Sequence, residues 1–155
     1  MTTIDDLKIT PMQKAHLCRV CELERQCFSQ PWSYQGLAYE LENPTARFFV
    51  AQAQERLLGY AGMYHVADEG YLANLAVSPE YRRRGVGKRL LEKLISLARE
   101  ENLAFLSLEV RASNKAAISM YESQGFKKAG VRKNFYQSPK EDALIMTRIF
   151  AKTHS

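Results

Sequence analysis

The sequence has no long apolar run; its apolar stretches are only a few residues and too short to cross a bilayer. Its opening, "MTTIDDLKIT", is acidic and polar, which is not the pattern of a secretory signal, so a cytoplasmic, membrane-free protein is expected. Zinc chemistry has little to work with. Cys18 and Cys21 have CxxC spacing, but Cys27 is the only other cysteine and only His16 lies close by. No bound metal is expected, and an odd cysteine count argues against a disulfide framework. The two common phosphate motifs are missing as well. No GxxxxGK precedes a Ser or Thr, and GxGxxG fails because Leu90 stands where the third glycine belongs. There are no repeats, low-complexity tracts or long linkers, so residues 1–155 read as a single domain.

The positive charge is concentrated in one place. The net charge is +5, and the stretch from Tyr81 to Lys93 holds six basic residues and one acid. The remaining basic and acidic residues balance. A nucleic-acid binder would spread cations over a face or a groove and interleave aromatic residues for stacking. Confinement to one turn points instead to a compact anionic ligand, with no direct nucleic-acid binding.

Apolar periodicity outlines an α+β fold. A strand is expected over Leu7–Ile9. A helix then starts at Thr10-Pro11, with Thr10 as cap, Pro11 at the first helical position and Gln13 reaching back. Its stripe runs Leu17, Val20, Cys21, Glu24 and Phe28, in which only Glu24 is polar. Ser33 caps a second helix that ends before Asn43-Pro44. Three antiparallel strands fill the region from Arg47 to Val77. A strand over Tyr71–Val77, a helix over Gly87–Glu101 closed by Asn102, and a strand over Ala104–Val110 form a β-α-β unit. A short helix capped by Ser113 or Asn114 ends at Gly125, and strands near Phe126–Tyr136 and Ala143–Phe150 finish the chain. The expected architecture is a mixed, mostly antiparallel sheet of about seven strands with helices on both faces.

Between the strand and helix of that unit lies "RRRGVGK". Gly85 and Gly87 permit a tight turn and close approach of backbone to a ligand. The first amides of the helix have no internal acceptor, and the helix dipole adds positive charge there. A pyrophosphate fits such an end with Arg and Lys nearby, although spacing alone leaves a solvated glycine loop equally open. In "AFLSLEV", Ala104, Leu106, Leu108 and Val110 share one face and Phe105, Ser107 and Glu109 the other. Glu109 is out of pattern for plain core; a strand-end ion pair with Arg111 or another cation would also explain it. Asn114, Ile118 and Tyr121 share one helix face.

"LAVSPEYRRRGVGKRLL" resembles the acetyl-CoA signature of the GNAT N-acetyltransferases. "LEVRASNKAAISMYESQGF", "CFSQPWS" and "KEDALIM" are similar to its RimI-type enzymes, which acetylate the N-terminal alanine of a small-subunit ribosomal protein. The resemblance implies a GNAT fold and acetyl-CoA as acetyl donor. It implies that Arg82, Arg83, Arg84, Gly85, Val86, Gly87 and Lys88 hold the cofactor pyrophosphate, that the backbone of Leu75, Ala76 and Val77 holds its arm, and that Asn114 binds it further along. It also implies Glu109 as base, acting through water, and Tyr121 as acid. The partner expected is a protein N-terminus, that of a small-subunit ribosomal protein. On the acceptor side the candidates are Trp32, Tyr136 and Glu141, with Glu40 and Asp142, where acidic residues suit a basic peptide. Other N-termini, lysine side chains or small amines remain open as acceptors, as does a module that only binds.

Overall fold

The structure is a computed structural model and describes residues 6–150. The first five residues, part of the segment read above for a targeting signal, lie outside the described residues. Seven strands alternate with four helices among the described residues: β1 (Lys8–Pro11), α1 (Leu17–Cys27), α2 (Tyr34–Glu42), β2 (Ala46–Ala53), β3 (Arg56–Val66), β4 (Glu69–Val77), α3 (Val86–Glu100), β5 (Phe105–Arg111), α4 (Lys115–Ser123), β6 (Lys127–Gln137) and β7 (Lys140–Ile149). The strand order is β1-β2-β3-β4-β5-β7-β6, and the class is α+β as expected. The residues group into two compact units. One runs up to Tyr64 and takes in Ala73–Leu94; the other holds His65–Leu72 and Ile95 onward.

In the first unit, β1 pairs antiparallel with β2 and β2 with β3. One expectation fails here. Pro11 is not a helix start; it is the last residue of β1, opposite Phe49. At a sheet edge its missing N–H costs no ladder bond, so the strand can run through it. Lys14–His16 then make a 3-10 turn, and the Gln13 amide donates to Nδ1 of His16 at 2.9 Å. Burial lowers the His16 pKa, so the ring is neutral and able to accept. Helix α1 therefore begins at Leu17, and buries Leu17, Val20, Cys21, Leu23 and Glu24. Ser33 caps α2 as expected, accepting from the Gly36 amide at 3.0 Å. Gly59 on β3 has a reason in packing: a Cβ there would lie 2.8 Å from the Ala76 carbonyl and near Val86 and Leu90. The strand before the cofactor turn and the helix after it can close on β3 only because that side chain is missing.

Helix α3 packs an apolar stripe inward, with Val86, Leu90, Leu91, Leu94, Ile95 and Ala98 all buried. Each leucine removed from water contributes about 1.5–3 kcal/mol before entropy is counted. Asn102, with φ 56°, closes the helix, and the Leu103 amide returns to the Ala98 carbonyl at 2.9 Å.

In the second unit, β5 runs parallel to β4, pairing Glu69–Tyr71 with Phe105–Ser107, and antiparallel to β7. β7 in turn pairs antiparallel with β6. Leu106, Leu108 and Val110 are buried and the alternate residues partly so, the alternation expected of β5. Asn114 caps α4 by accepting from the Ala117 amide at 3.2 Å, and Gly125, with φ 88°, ends it.

Candidate active site

In the first unit, the turn after β4 uses Gly85 as expected, whereas Gly87 already lies in helix α3. Pro79–Tyr81 form a 3-10 turn, Arg83 and Gly85 take positive φ, and the Arg89 amide makes the first bond of α3 to the Gly85 carbonyl at 3.0 Å. The amides of Val86, Gly87 and Lys88 precede that bond, so α3 offers them no acceptor. A Cβ on Gly85 would meet nothing within 4 Å, so the space over the turn is open. Arg82, Arg83, Arg84 and Lys88 are exposed. Open space, outward amides and surrounding cations fit a pyrophosphate.

The cations are partly engaged already. Nε of Arg82 donates to the Val77 carbonyl at 3.2 Å, and its Nη2 lies 3.4 Å from Sγ of Cys27. Arg84 lies over the Tyr81 ring at 5.7 Å, and Lys88 reaches Glu92 at 4.0 Å. Arg82 thus ties the strand end to the turn. On β4, the Leu75 amide donates to Oδ1 of Asn74 at 3.0 Å. The β4–β5 ladder covers Glu69–Tyr71, so Leu75, Ala76 and Val77 are not part of it.

Sequence reasoning left Glu24 unexplained. Its side chain is fully buried, 0% exposed, yet three donors converge on it. The Trp32 amide donates to Oε1 at 2.8 Å, and the Tyr60 hydroxyl and Asn74 Nδ2 donate to Oε2 at 2.6 and 2.5 Å. Burial raises its pKa, and these donors pull it back down. Tyr60, also fully buried, has its phenol pushed up first by burial and then by the Glu24 charge. The available signal was one polar residue in the apolar stripe of α1. Trp32, an acceptor-side candidate, packs its ring on Phe48, with centroids 6.0 Å apart. Glu40 accepts from Asn43 at 3.2 Å.

In the second unit, Glu109 is partly exposed and pairs with Nε of Arg132 at 3.2 Å. Arg111, the other cation considered for it, pairs instead with Glu141 at 3.3 Å and lies over the Tyr136 ring at 4.3 Å. Glu141 also accepts the Ser113 amide at 2.6 Å, so both of its oxygens hold local structure. Ser113 and then Arg111 hold its carboxyl below the usual range. Asp142 accepts the Asn134 amide at 2.8 Å.

Tyr121 is buried, its ring 5.8 Å from that of Phe126. Burial pushes its phenol up, with a smaller contribution from Tyr136. Tyr136 is half-buried and likewise raised, by burial and then by the Glu109 charge. Within this unit the Glu109 charge thus acts on Tyr136, and Tyr136 on Tyr121. A phenol with a raised pKa stays protonated at neutral pH, the state an acid needs. Asn114 has committed Oδ1 to its cap and can offer a ligand its Nδ2 donor.

Residues 17–126 match the Acetyltransferase (GNAT) family. The ribosomal protein bS18-alanine N-acetyltransferase of Escherichia coli (strain K12) is 38% identical over 148 residues, spanning 94% of this chain and 96% of that protein. The N-alpha-acetyltransferase RimI of Mycobacterium tuberculosis (strain ATCC 25618 / H37Rv) is 33% identical over 150 residues, 93% of each chain. The crystal structure of the ribosomal-protein-S18-alanine N-acetyltransferase from Escherichia coli matches with a TM-score of 0.88 at 34% identity, over 96% of this chain and 97% of that one. With the family matched over most of its length, the chain belongs to the GNAT acetyltransferases, is RimI-like among them, and is an acetyl-CoA-dependent N-acetyltransferase.

Proposed function

We propose that the chain acetylates the N-terminal α-amine of a protein, and that its acceptor is the N-terminal alanine of a small-subunit ribosomal protein. The observation that carries this reading is the 38% identity to the Escherichia coli alanine N-acetyltransferase over nearly the full length of both chains. No helix among the described residues is long and apolar enough to cross a membrane.

Acetyl-CoA supplies the acetyl group as a thioester, whose C–S bond breaks as the C–N bond of the amide forms. In this reading the turn Arg82, Arg83, Arg84, Gly85, Val86, Gly87 and Lys88 binds the pyrophosphate. The backbone of Leu75, Ala76 and Val77 orients the arm, and Asn114 adds its Nδ2. Glu109 takes the proton of the acceptor ammonium through a water, with Arg132 holding one carboxylate oxygen. Tyr121 gives its phenolic proton to the departing sulfur, and the second proton that the nitrogen loses as the amide forms restores the phenol. An alkyl thiol has a pKa near 8.5, well below that of the buried phenol, so the proton must be handed over as the C–S bond breaks. Trp32 in the first unit and Tyr136 in the second are the residues assigned to the acceptor. Glu141 contributes there by fixing Arg111 and Ser113.

The test supplies acetyl-CoA with peptides ending in alanine and in other residues, a lysine peptide with a blocked N-terminus, and small amines, and locates the acetyl group by mass spectrometry. Preferred modification of the alanine α-amine is expected. Modification of the lysine or a small amine in preference to every N-terminus would replace this reading with a different acceptor.

A further inference from the structure

The buried carboxylate of Glu24 lies outside the acetyl-transfer roles assigned above, and its surroundings give it one. Its partners come from three parts of the first unit. The Trp32 amide belongs to the segment between α1 and α2, Tyr60 to β3 and Asn74 to β4. Asn74 also donates to the Tyr60 oxygen at 2.9 Å and accepts from the Leu75 amide at 3.0 Å. The Leu75 bond fixes which end of the Asn74 amide is oxygen, so its nitrogen faces Glu24. Hydrogens and lone pairs then count out in one way. The Trp32 N–H, the Tyr60 O–H and one Asn74 N–H, which it shares with the Tyr60 oxygen, are all donated to Glu24. An ionised carboxylate satisfies all of them. A protonated one would add a further hydrogen with no acceptor in the network.

We propose that ionised Glu24 is a positioning residue for the acceptor peptide: it anchors the Trp32 segment to strand β4 and so holds Trp32 in place. This rests on the reading of Trp32 as an acceptor-side residue. Glu24 touches no reacting atom; it acts through Trp32. Losing it weakens acceptor binding in the ground state and the transition state alike, which raises KM and spares kcat.

Trp32 is the only tryptophan, so labelling the full chain with 15N-tryptophan gives one backbone amide resonance and one indole resonance. Glu24→Gln is expected to move the backbone amide resonance and to speed its hydrogen exchange about tenfold or more, because the amide side chain cannot serve all three donors. The same variant is expected to raise KM for an N-terminal alanine peptide about tenfold, with kcat within about threefold. An unmoved Trp32 amide overturns the proposal, and so does a kcat loss at unchanged KM. Should Glu24→Gln fail to fold, Tyr60→Phe keeps the carboxylate and removes one of its donors. It must shift the same resonance, and no shift overturns the proposal equally. If the wild-type chain acetylates no N-terminal peptide, the functional reading fails, while the Trp32 amide still decides whether Glu24 anchors its segment.

Discussion

Each of the two units contains a glutamate and a buried tyrosine, in opposite surroundings. Glu24 and Tyr60 bond each other at 2.6 Å, and three donors in all converge on the carboxylate. Glu109 has a third of its side chain exposed and a cation on one oxygen, and Tyr121 packs against Phe126. The first pair is closed: a proton or ligand arriving there would displace a bond already made. The second keeps a carboxylate within reach of water and a phenol that holds its proton. In the proposed mechanism the same two residue types give structure where the network is closed and chemistry where it is left open.

The largest expected difference lies in turnover. Glu109→Gln and Tyr121→Phe are expected to lower kcat about 10²- to 10⁴-fold, with acetyl-CoA dissociation constants within about threefold of wild type. Steady-state kinetics beside calorimetric binding measures both, and near wild-type rates in both variants would remove the assigned roles. Tyr60→Phe should do the reverse. It deletes a donor to a buried carboxylate, so it is expected to cost about 1–3 kcal/mol in urea unfolding while kcat stays within about threefold. A collapse of kcat in Tyr60→Phe would erase the distinction between the two pairs.

The next effect sharpens a third region, the turn. Gly87→Leu places a branched side chain over amides that the pyrophosphate needs, and is expected to weaken acetyl-CoA binding about tenfold or more. An unchanged dissociation constant would count against the pyrophosphate assignment. A smaller effect is expected at Arg132, whose side chain is more than half exposed. Arg132→Ala should change stability by less than about 1 kcal/mol, because an exposed ion pair is largely screened. A loss as large as that in Tyr60→Phe would show that the Glu109 pair is structural after all.

What could be read from sequence follows how local each feature is. The turn and α3 rest on spacings within one strand–helix unit, so glycine positions and apolar period were enough. Glu109 stood out against the alternation of its own strand. Pro11 misled because Thr-Pro with a nearby Gln fits a helix start as well as an edge strand, and only the pairing with Phe49 decides between them. The partner of Glu109 was named as Arg111 or another cation. It is Arg132, which reaches Glu109 because β7 lies between β5 and β6 in the sheet order. Two of the three partners of Glu24, Tyr60 and Asn74, are 36 and 50 residues away along the chain, beyond any local pattern. The stripe on α1 marked Glu24 as odd but could not say what satisfies it.

The smallest expected effect concerns the pH dependence of the closed pair. Burial raises the Glu24 pKa in the folded chain above its unfolded value, about 4.3 for a free glutamate. Between those two values the folded state binds more proton than the unfolded state, so the contribution of Glu24 to stability falls as pH rises through that window and is level above it. Glu141 works in the opposite sense: its folded pKa is lowered, and its contribution is lost as pH falls. Glu141 is present in both wild type and Glu24→Gln, so it cancels in their difference. Urea midpoints of the two chains, measured from pH 4 to pH 7, should therefore drift apart in one direction, with wild type losing ground to Glu24→Gln as pH rises. A constant difference would mean that the three donors offset burial completely. A drift toward wild type would mean that they exceed it, and Glu24 would then be held ionised more firmly inside the fold than in water.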